Sequence, residues 1–192
     1  MNSKTRRNRE RLFELLKELS YETRDVVLAS GSASNEYVDC KQTALHPEGA
    51  KVLGAELFSL CQEIERAIGK LGQGVGGMAI GADPLATATS LAAFDSGRHL
   101  PAYLVRKEPK SHGTQEYLEG LKNIPVGANV LMVEDVVTTG GSTVKALERV
   151  RASGLNPIGV AVIIDREVGG MENLKEHGLF ALSLFKLSDF RE

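Results

Sequence analysis

Tryptophan is absent from the 192 residues, and aromatic side chains make up only 5% of them. With so few rings, a stacking platform for single-stranded nucleic acid is improbable. Neither sign of charge dominates: 23 Lys and Arg against 25 Asp and Glu leave a formal net charge of −2. A general nucleic-acid binder or a membrane-surface binder would carry a basic excess that this chain lacks. No apolar run reaches the roughly 18 residues of a membrane span. Two cysteines, Cys40 and Cys61, are too few for a disulfide framework or a zinc site of their own, and they read as small packing residues. Repeats, low-complexity tracts and Pro/Ser linkers are also missing, so residues 1–192 are expected to form one domain, with no room for a second catalytic one.

The N-terminus is locally basic (Lys4, Arg6, Arg7, Arg9, Arg11), as the start of a secretion signal would be. The next stretch alternates Leu12, Leu15, Leu16 and Leu19 with charged residues, the pattern of an amphipathic helix and not of an uninterrupted apolar segment. Reduced cysteines and the absence of a signal pattern point to the cytoplasm. Glycine is in excess, 20 residues in all, and 42% of the chain is hydrophobic, enough for a real core.

Periodicity organises the rest. The first helix ends near Ser20, and short extended runs succeed it at 26–29 and 36–39. Pro47 opens a helix whose apolar positions Val52, Leu53, Leu57, Leu60, Ile64 and Ile68 recur at helical spacing. Beyond it, apolar strands at 75–80, 102–105, 130–133, 158–164 and 180–185 alternate with helices at 84–95, 142–152 and 171–177. A polar stretch covers 106–120. Strands that are apolar throughout and alternate with helices predict an α/β fold, a mostly parallel sheet flanked by helices. Ligands of such sheets bind at the carboxyl ends of the strands.

Three clusters fall at such ends or near them. The sharpest runs Glu134-Asp135-Val136-Val137-Thr138-Thr139-Gly140-Gly141-Ser142, directly after the apolar residues 130–133. Adjacent strand side chains point to opposite faces, so the two acids cannot both be surface caps. The turn of small residues then opens a helix whose unpaired N–H groups favour a phosphate. Carboxylates beside a phosphate nest suit a sugar phosphate. The second cluster, Arg106-Lys107-Glu108-Pro109-Lys110-Ser111-His112-Gly113, puts cations and a histidine in a long polar loop, where function is commoner than idleness. The third, Ser30-Gly31-Ser32-Ala33-Ser34-Asn35-Glu36-Tyr37-Val38-Asp39, reads by itself as a polar turn between two strands. Gly72-x-Gly74-x-x-Gly77 matches a dinucleotide fingerprint as a string, but its glycines precede or begin a strand, so that reading fails. His46, His99 and His177 read as structural or surface groups.

The stretch from Glu134 to Ser142 resembles the phosphoribosyl-diphosphate motif of type I phosphoribosyltransferases. The Ser-Gly-x-x-Ser-x-x-Tyr-x-Asp run, the Arg-Lys-Glu-x-Lys-x-His-Gly run, Asp165-Arg166-Glu167 and Leu187-Ser188-Asp189 are similar, in that order, to segments of the orotate phosphoribosyltransferase family. The resemblance covers residues from about 28 onward. It implies the type I phosphoribosyltransferase fold with an N-terminal hood, to which 1–45 contribute. It implies Mg²⁺-dependent transfer of ribose 5-phosphate from 5-phosphoribosyl 1-diphosphate to orotate, giving orotidine 5′-phosphate and diphosphate in pyrimidine (UMP) biosynthesis. By the same likeness, Lys107, Lys110 and His112 are the catalytic lid groups, and Arg106 joins them on the diphosphate. Glu134, Asp135, Val136, Val137, Thr138, Thr139, Gly140, Gly141 and Ser142 hold the sugar phosphate, while Thr138 and Arg166 hold orotate. The lid lysine at 107 is expected to reach the partner's site in a homodimer.

No residue is assigned as a metal ligand, since Mg²⁺ is held mainly by substrate oxygens, although Asp83 offers a carboxylate to the ion or its waters. The chain departs from the pattern at Ala29 and Gly81, where many members carry Lys, which bears on diphosphate affinity and not on reaction type. The short length leaves no place for a fused decarboxylase. Two alternatives stay open: transfer to a purine base, and a non-catalytic regulator with the same pocket. The hood and Arg166 speak against the first, the cationic lid against the second.

Overall fold

The computed structural model describes residues 3–27, 33–109 and 117–191. Helix α1 (Ser3–Leu19) leads into an antiparallel hairpin of β1 (Tyr21–Val27) and β2 (Ala33–Val38), then the short α2 (Cys40–Ala44) and the long α3 (Pro47–Ile68). The order continues with β3 (Val75–Met78), α4 (Ala82–Asp95), β4 (Ala102–Val105), β5 (Leu118–Glu119), β6 (Asn129–Val137), α5 (Gly141–Ala152), β7 (Asn156–Asp165), α6 (Gly170–Glu176) and β8 (Phe180–Lys186). A 3-10 turn over Leu187–Arg191 comes last.

Six strands form one sheet in the order β5-β4-β3-β6-β7-β8, parallel except where β5 runs against β4. The expected α/β architecture is therefore the observed one. From β3 the chain first adds β4 on one side, then crosses to add β6 on the other. The loops leaving β3 and β6 diverge there, and a crevice opens at their carboxyl ends. Alternation along β6 divides the core in two. Leu131 and Val133 pack with Leu53, Leu57 and Ile64 of α3 and Leu85 of α4. Val130 and Met132 pack with Ala146, Leu147 and Val150 of α5 and Leu174 of α6. The basic N-terminal stretch is a helix start: Leu12, Leu15 and Leu16 are buried, while Arg9 pairs with Glu56 and Arg11 with Glu48 and Glu14. No described helix is long and apolar enough to cross a membrane.

Several boundaries differ from the periodicity. Strand β6 does not stop at 133 but runs to Val137, because Glu134, Val136 and Val137 stay in register with Val162, Ile164 and Asp165 of β7. The acid pair thus lies within the strand. Strand β3 ends at Met78, and Ile80 is exposed in the turn that precedes α4. The polar stretch 106–120 contains β5, since Leu118 is buried beside Val105 at the sheet edge. Helix α2 leaves little trace in the sequence, because five residues carry less than two turns of periodicity; Asp39 caps it by accepting from the Lys41 amide.

The glycines in and just before β3 serve packing, Gly76 among them. A Cβ on Gly76 would lie 2.2 Å from the Tyr103 carbonyl oxygen and 2.6 Å from its ring. Tyr103 is wholly buried and its hydroxyl donates to the Leu131 carbonyl, so it cannot retreat. Gly76→Ala is expected to destabilise by about 2 kcal/mol or more, the upper part of the overpacking range. Denaturant unfolding of the two proteins checks it; an unchanged midpoint would show that the sheet relaxes around the methyl group.

Candidate active site

Strand β6 delivers the acid pair and the turn after it. Glu134 continues the face of Val130 and Met132, so its carboxylate goes under α5, where it is buried and accepts from the Thr143 hydroxyl at 2.8 Å. Burial first, and then the neighbouring Asp135 charge, push the Glu134 carboxyl up to about 8. Asp135 takes the opposite face, only half-buried, with Oδ1 accepting from the Val136 amide at 2.8 Å. It faces the start of α4: a Cβ on Gly81 would stand 2.9 Å from Asp135 Oδ2. A side chain at 81 would need only the Asp135 carboxylate to shift.

Past Val137 the chain turns through Thr138 and Thr139 to Gly140, which adopts φ 78° and has no side-chain cap for α5. Glycine takes this left-handed conformation without Cβ strain. The first amides of α5 are left to an anion, and the helix dipole adds to the attraction. Helix α6 holds the turn from behind. A Cβ on Gly170 would come within 2.3 Å of the Thr138 carbonyl oxygen, and Asn173 Nδ2 donates to the Thr139 carbonyl at 2.7 Å.

A cavity of about 600 Å³ opens on this turn, lined by Val136, Thr138, Thr139, Gly140, Gly141 and Ser142. Lys107 and Glu108 border it from the end of β4, and Met78 from the end of β3. Lys145 and Arg149 also line it. Sequence reasoning missed these two cations, although Gly141, Lys145 and Arg149 fall at intervals of four on one helix face. Arg149 donates to the Arg106 carbonyl at 2.7 Å and lies 4.3 Å from the Tyr117 ring centroid.

Other assigned residues sit elsewhere. Arg106 does not line the cavity; its guanidinium donates to the Glu108 carbonyl and pairs with Glu119 at 3.2 Å. Lys110, Ser111, His112 and Gly113 lie outside the described residues, as do Ala29, Ser30, Gly31 and Ser32. Val137 is buried below the turn. Arg166 leaves the end of β7, also outside the cavity lining, and is buried with Nη2 donating to Ser34 Oγ at 3.0 Å and to the Glu36 carbonyl at 3.2 Å. The described part of the third cluster is strand β2 and not a turn, and its Ser34 and Glu36 are partners of the β7 end. His46 is the N-cap of α3, its Nδ1 accepting from the Gly49 amide, and His177 closes α6.

This geometry has counterparts among known proteins. Residues 84–178 match the family model described as a phosphoribosyl transferase domain. The chain is 42% identical over 182 residues to the orotate phosphoribosyltransferase of Sorangium cellulosum, covering 95% of this chain and 92% of that one. It is 41% identical over 184 residues to the orotate phosphoribosyltransferase of Nostoc, covering 96% and 85%. The chain belongs to the orotate phosphoribosyltransferase family. Its fold is also that of the Mycobacterium tuberculosis H37Rv orotate phosphoribosyltransferase in complex with 5-phospho-alpha-D-ribosyl 1-diphosphate, with a TM-score of 0.75, 34% identity and coverage of 96% and 99%. As a member of the orotate phosphoribosyltransferase family, the chain is a pentosyltransferase.

The raised Glu134 carboxyl links folding to pH. Between about pH 4.5 and 8 the folded chain keeps a proton that the unfolded chain gives up. Stability from this group is therefore complete below that window and is lost as pH rises through it. Glu134→Gln, which mimics the protonated acid, is expected to melt near the parent at pH 5 and above it at pH 9. Thermal melts across that range check the sign; a constant difference would place the proton elsewhere.

Proposed function

We propose that this chain transfers the 5-phosphoribosyl group from 5-phosphoribosyl 1-diphosphate to N1 of orotate. The C1–O bond to diphosphate breaks, the C1–N1 bond forms, N1 gives up its proton, and orotidine 5′-phosphate leaves with diphosphate. This is a step of pyrimidine biosynthesis. The observation that carries the reading is the uncapped start of α5 on the cavity, with Glu134 and Asp135 in the strand that feeds it. The amides of 140–142 and the hydroxyls of Thr138, Thr139 and Ser142 bind the 5′-phosphate, while Asp135, the half-buried member of the acid pair, accepts from the ribose hydroxyls and Glu134 stays under α5 on Thr143. Breaking the C1–O bond makes the sugar oxocarbenium-like, so catalysis rests on positioning and on charge placed near the leaving group. Lys107, Lys110 and His112, which follow β4 in sequence, supply that charge and exclude water that would intercept the sugar.

Arg166 receives the orotate carboxylate. Its Nη2 hydrogen bonds go to neutral oxygens, a hydroxyl and a carbonyl, so its positive charge is available to an anion. A planar fork suits a carboxylate better than an ammonium would. Mg²⁺ fits the donors at hand. Among the described residues no cluster of three or more His, Cys, Asp or Glu is present, and Asp83 Oδ1 is buried without a hydrogen-bond partner. Asp83 follows β3 and Asp135 lies in adjacent β6; both offer hard oxygen, and they would hold the ion or its waters with substrate oxygens completing the shell. When bound, the ion offsets negative charge on the diphosphate. A homodimer in which Lys107 serves the neighbouring site belongs to the same reading; within one chain the exposed Lys107 borders the cavity of its own subunit. So does a cytoplasmic setting, supported by two buried, unbridged thiols.

The direct test tracks orotate consumption by its ultraviolet absorbance, with and without the sugar diphosphate and Mg²⁺. Loss of absorbance only with both present is expected, and a panel of purine bases under the same conditions should give none. Lys110→Ala is expected to lose about a hundredfold or more in turnover, the size of removing one transition-state donor; near-normal turnover would remove Lys110 from the lid role. By calorimetry, Arg166→Ala should lose orotate binding and keep sugar-diphosphate binding.

A further inference from the structure

The contacts that hold Arg166 do not end at the residues it touches. Its Nη2 donates to Ser34 Oγ and to the Glu36 carbonyl. Ser34 Oγ in turn donates to the Glu36 carbonyl and accepts from the Glu36 amide, so β2 is locally folded around Glu36. The Glu36 carboxylate is buried, 7% exposed, and charged. An unpaired carboxylate there would bend toward the Arg166 guanidinium and compete with any incoming anion. Arg191 prevents this. Its Nε lies 3.1 and 3.2 Å from the two Glu36 oxygens and its Nη2 2.8 Å from Oε2, while the Tyr21 hydroxyl donates to Oε1 at 2.9 Å. This grip occupies both carboxylate oxygens, so Arg166 hydrogen-bonds only the backbone oxygen of Glu36 and feels the carboxylate as a nearby charge.

The turn that carries Arg191 also touches the residue that follows Arg166. The Ser188 amide donates to Glu167 Oε2 at 3.0 Å, and Phe190 anchors the turn against Phe13 and Tyr21. One short turn therefore fixes both the hood strand and the residue next after Arg166.

We propose that the Glu36–Arg191 ion pair is a positioning device that keeps the Arg166 guanidinium oriented and electrostatically available for the carboxylate of the acceptor base. Arg191 is a positioning residue, acting through Glu36, and it makes no contact with the sugar-phosphate turn. The inference rests on the reading of Arg166 as the acceptor's receptor.

Steady-state kinetics of Arg191→Ala, Arg191→Lys and Arg166→Ala test it, with melting temperatures measured on the same samples. Arg191→Ala is expected to raise the orotate KM about tenfold while kcat at saturating orotate and the sugar-diphosphate KM stay within about twofold. Arg191→Lys, which restores the charge but not the two-nitrogen grip, should fall between. If Arg191→Ala leaves the orotate KM unchanged while Arg166→Ala raises it, the positioning role is overturned and the reading of Arg166 stands. If Arg166→Ala also leaves it unchanged, that reading fails and takes the proposal with it. Should both KM values rise together with a falling melting temperature in Arg191→Ala and Arg191→Lys alike, the pair is merely structural and the proposal is overturned.

Discussion

Strand β6 lies between β3 and β7, hydrogen-bonded to both in parallel, and that double pairing governs the site. A strand held on both edges cannot rotate about its axis, so the face each side chain takes is decided by parity alone. Even-numbered residues from Val130 to Glu134 go under α5, and odd-numbered ones from Leu131 to Asp135 go toward α4. Two neighbouring acids thereby acquire different surroundings. One is dry and protonated near neutrality, the other half-open and beside the turn that starts α4.

The turn after β6 inherits its rigidity from the same pairing. Register with β7 persists to Val137, and the Arg166 amide donates to the Val137 carbonyl at 3.0 Å just beyond it. Gly170 then closes on Thr138 from below, with no space for a side chain between them. A phosphate cradle is useful only if its amides are aimed before the ligand arrives. Here aim comes from backbone contacts on the buried side, which leaves the open side uncommitted.

The parallel sheet, the long helix over Pro47–Ile68 and the tight turn into α5 are legible in the sequence, because each depends on local pattern: continuous apolar runs, a 3.6-residue period and a string of small residues. Less legible are features that depend on what a segment meets. Strand β6 looks finished at Val133 because polar residues come next, yet hydrogen bonding to β7 does not consult side-chain polarity. Lys145 and Arg149 resemble ordinary surface cations until the end of β4 is folded against their helix. Arg106 looks like a site cation by its place in the run, but Glu119, brought beside it by β5, takes its charge. Glu36 gives no local sign of burial, since its partner lies 155 residues away.

That separation has a kinetic side. Glu36 and Arg191 can meet only after the whole sheet has assembled between them, and Arg9 reaches the Leu184 carbonyl across 175 residues. Contacts of such long range are entropically costly to close before the intervening structure exists. The β1–β2 hairpin beside Arg166 is therefore expected to form late, and under mild denaturation it should loosen while the sheet still stands. On the proposed reading, acceptor binding would then fade before sugar-phosphate binding does.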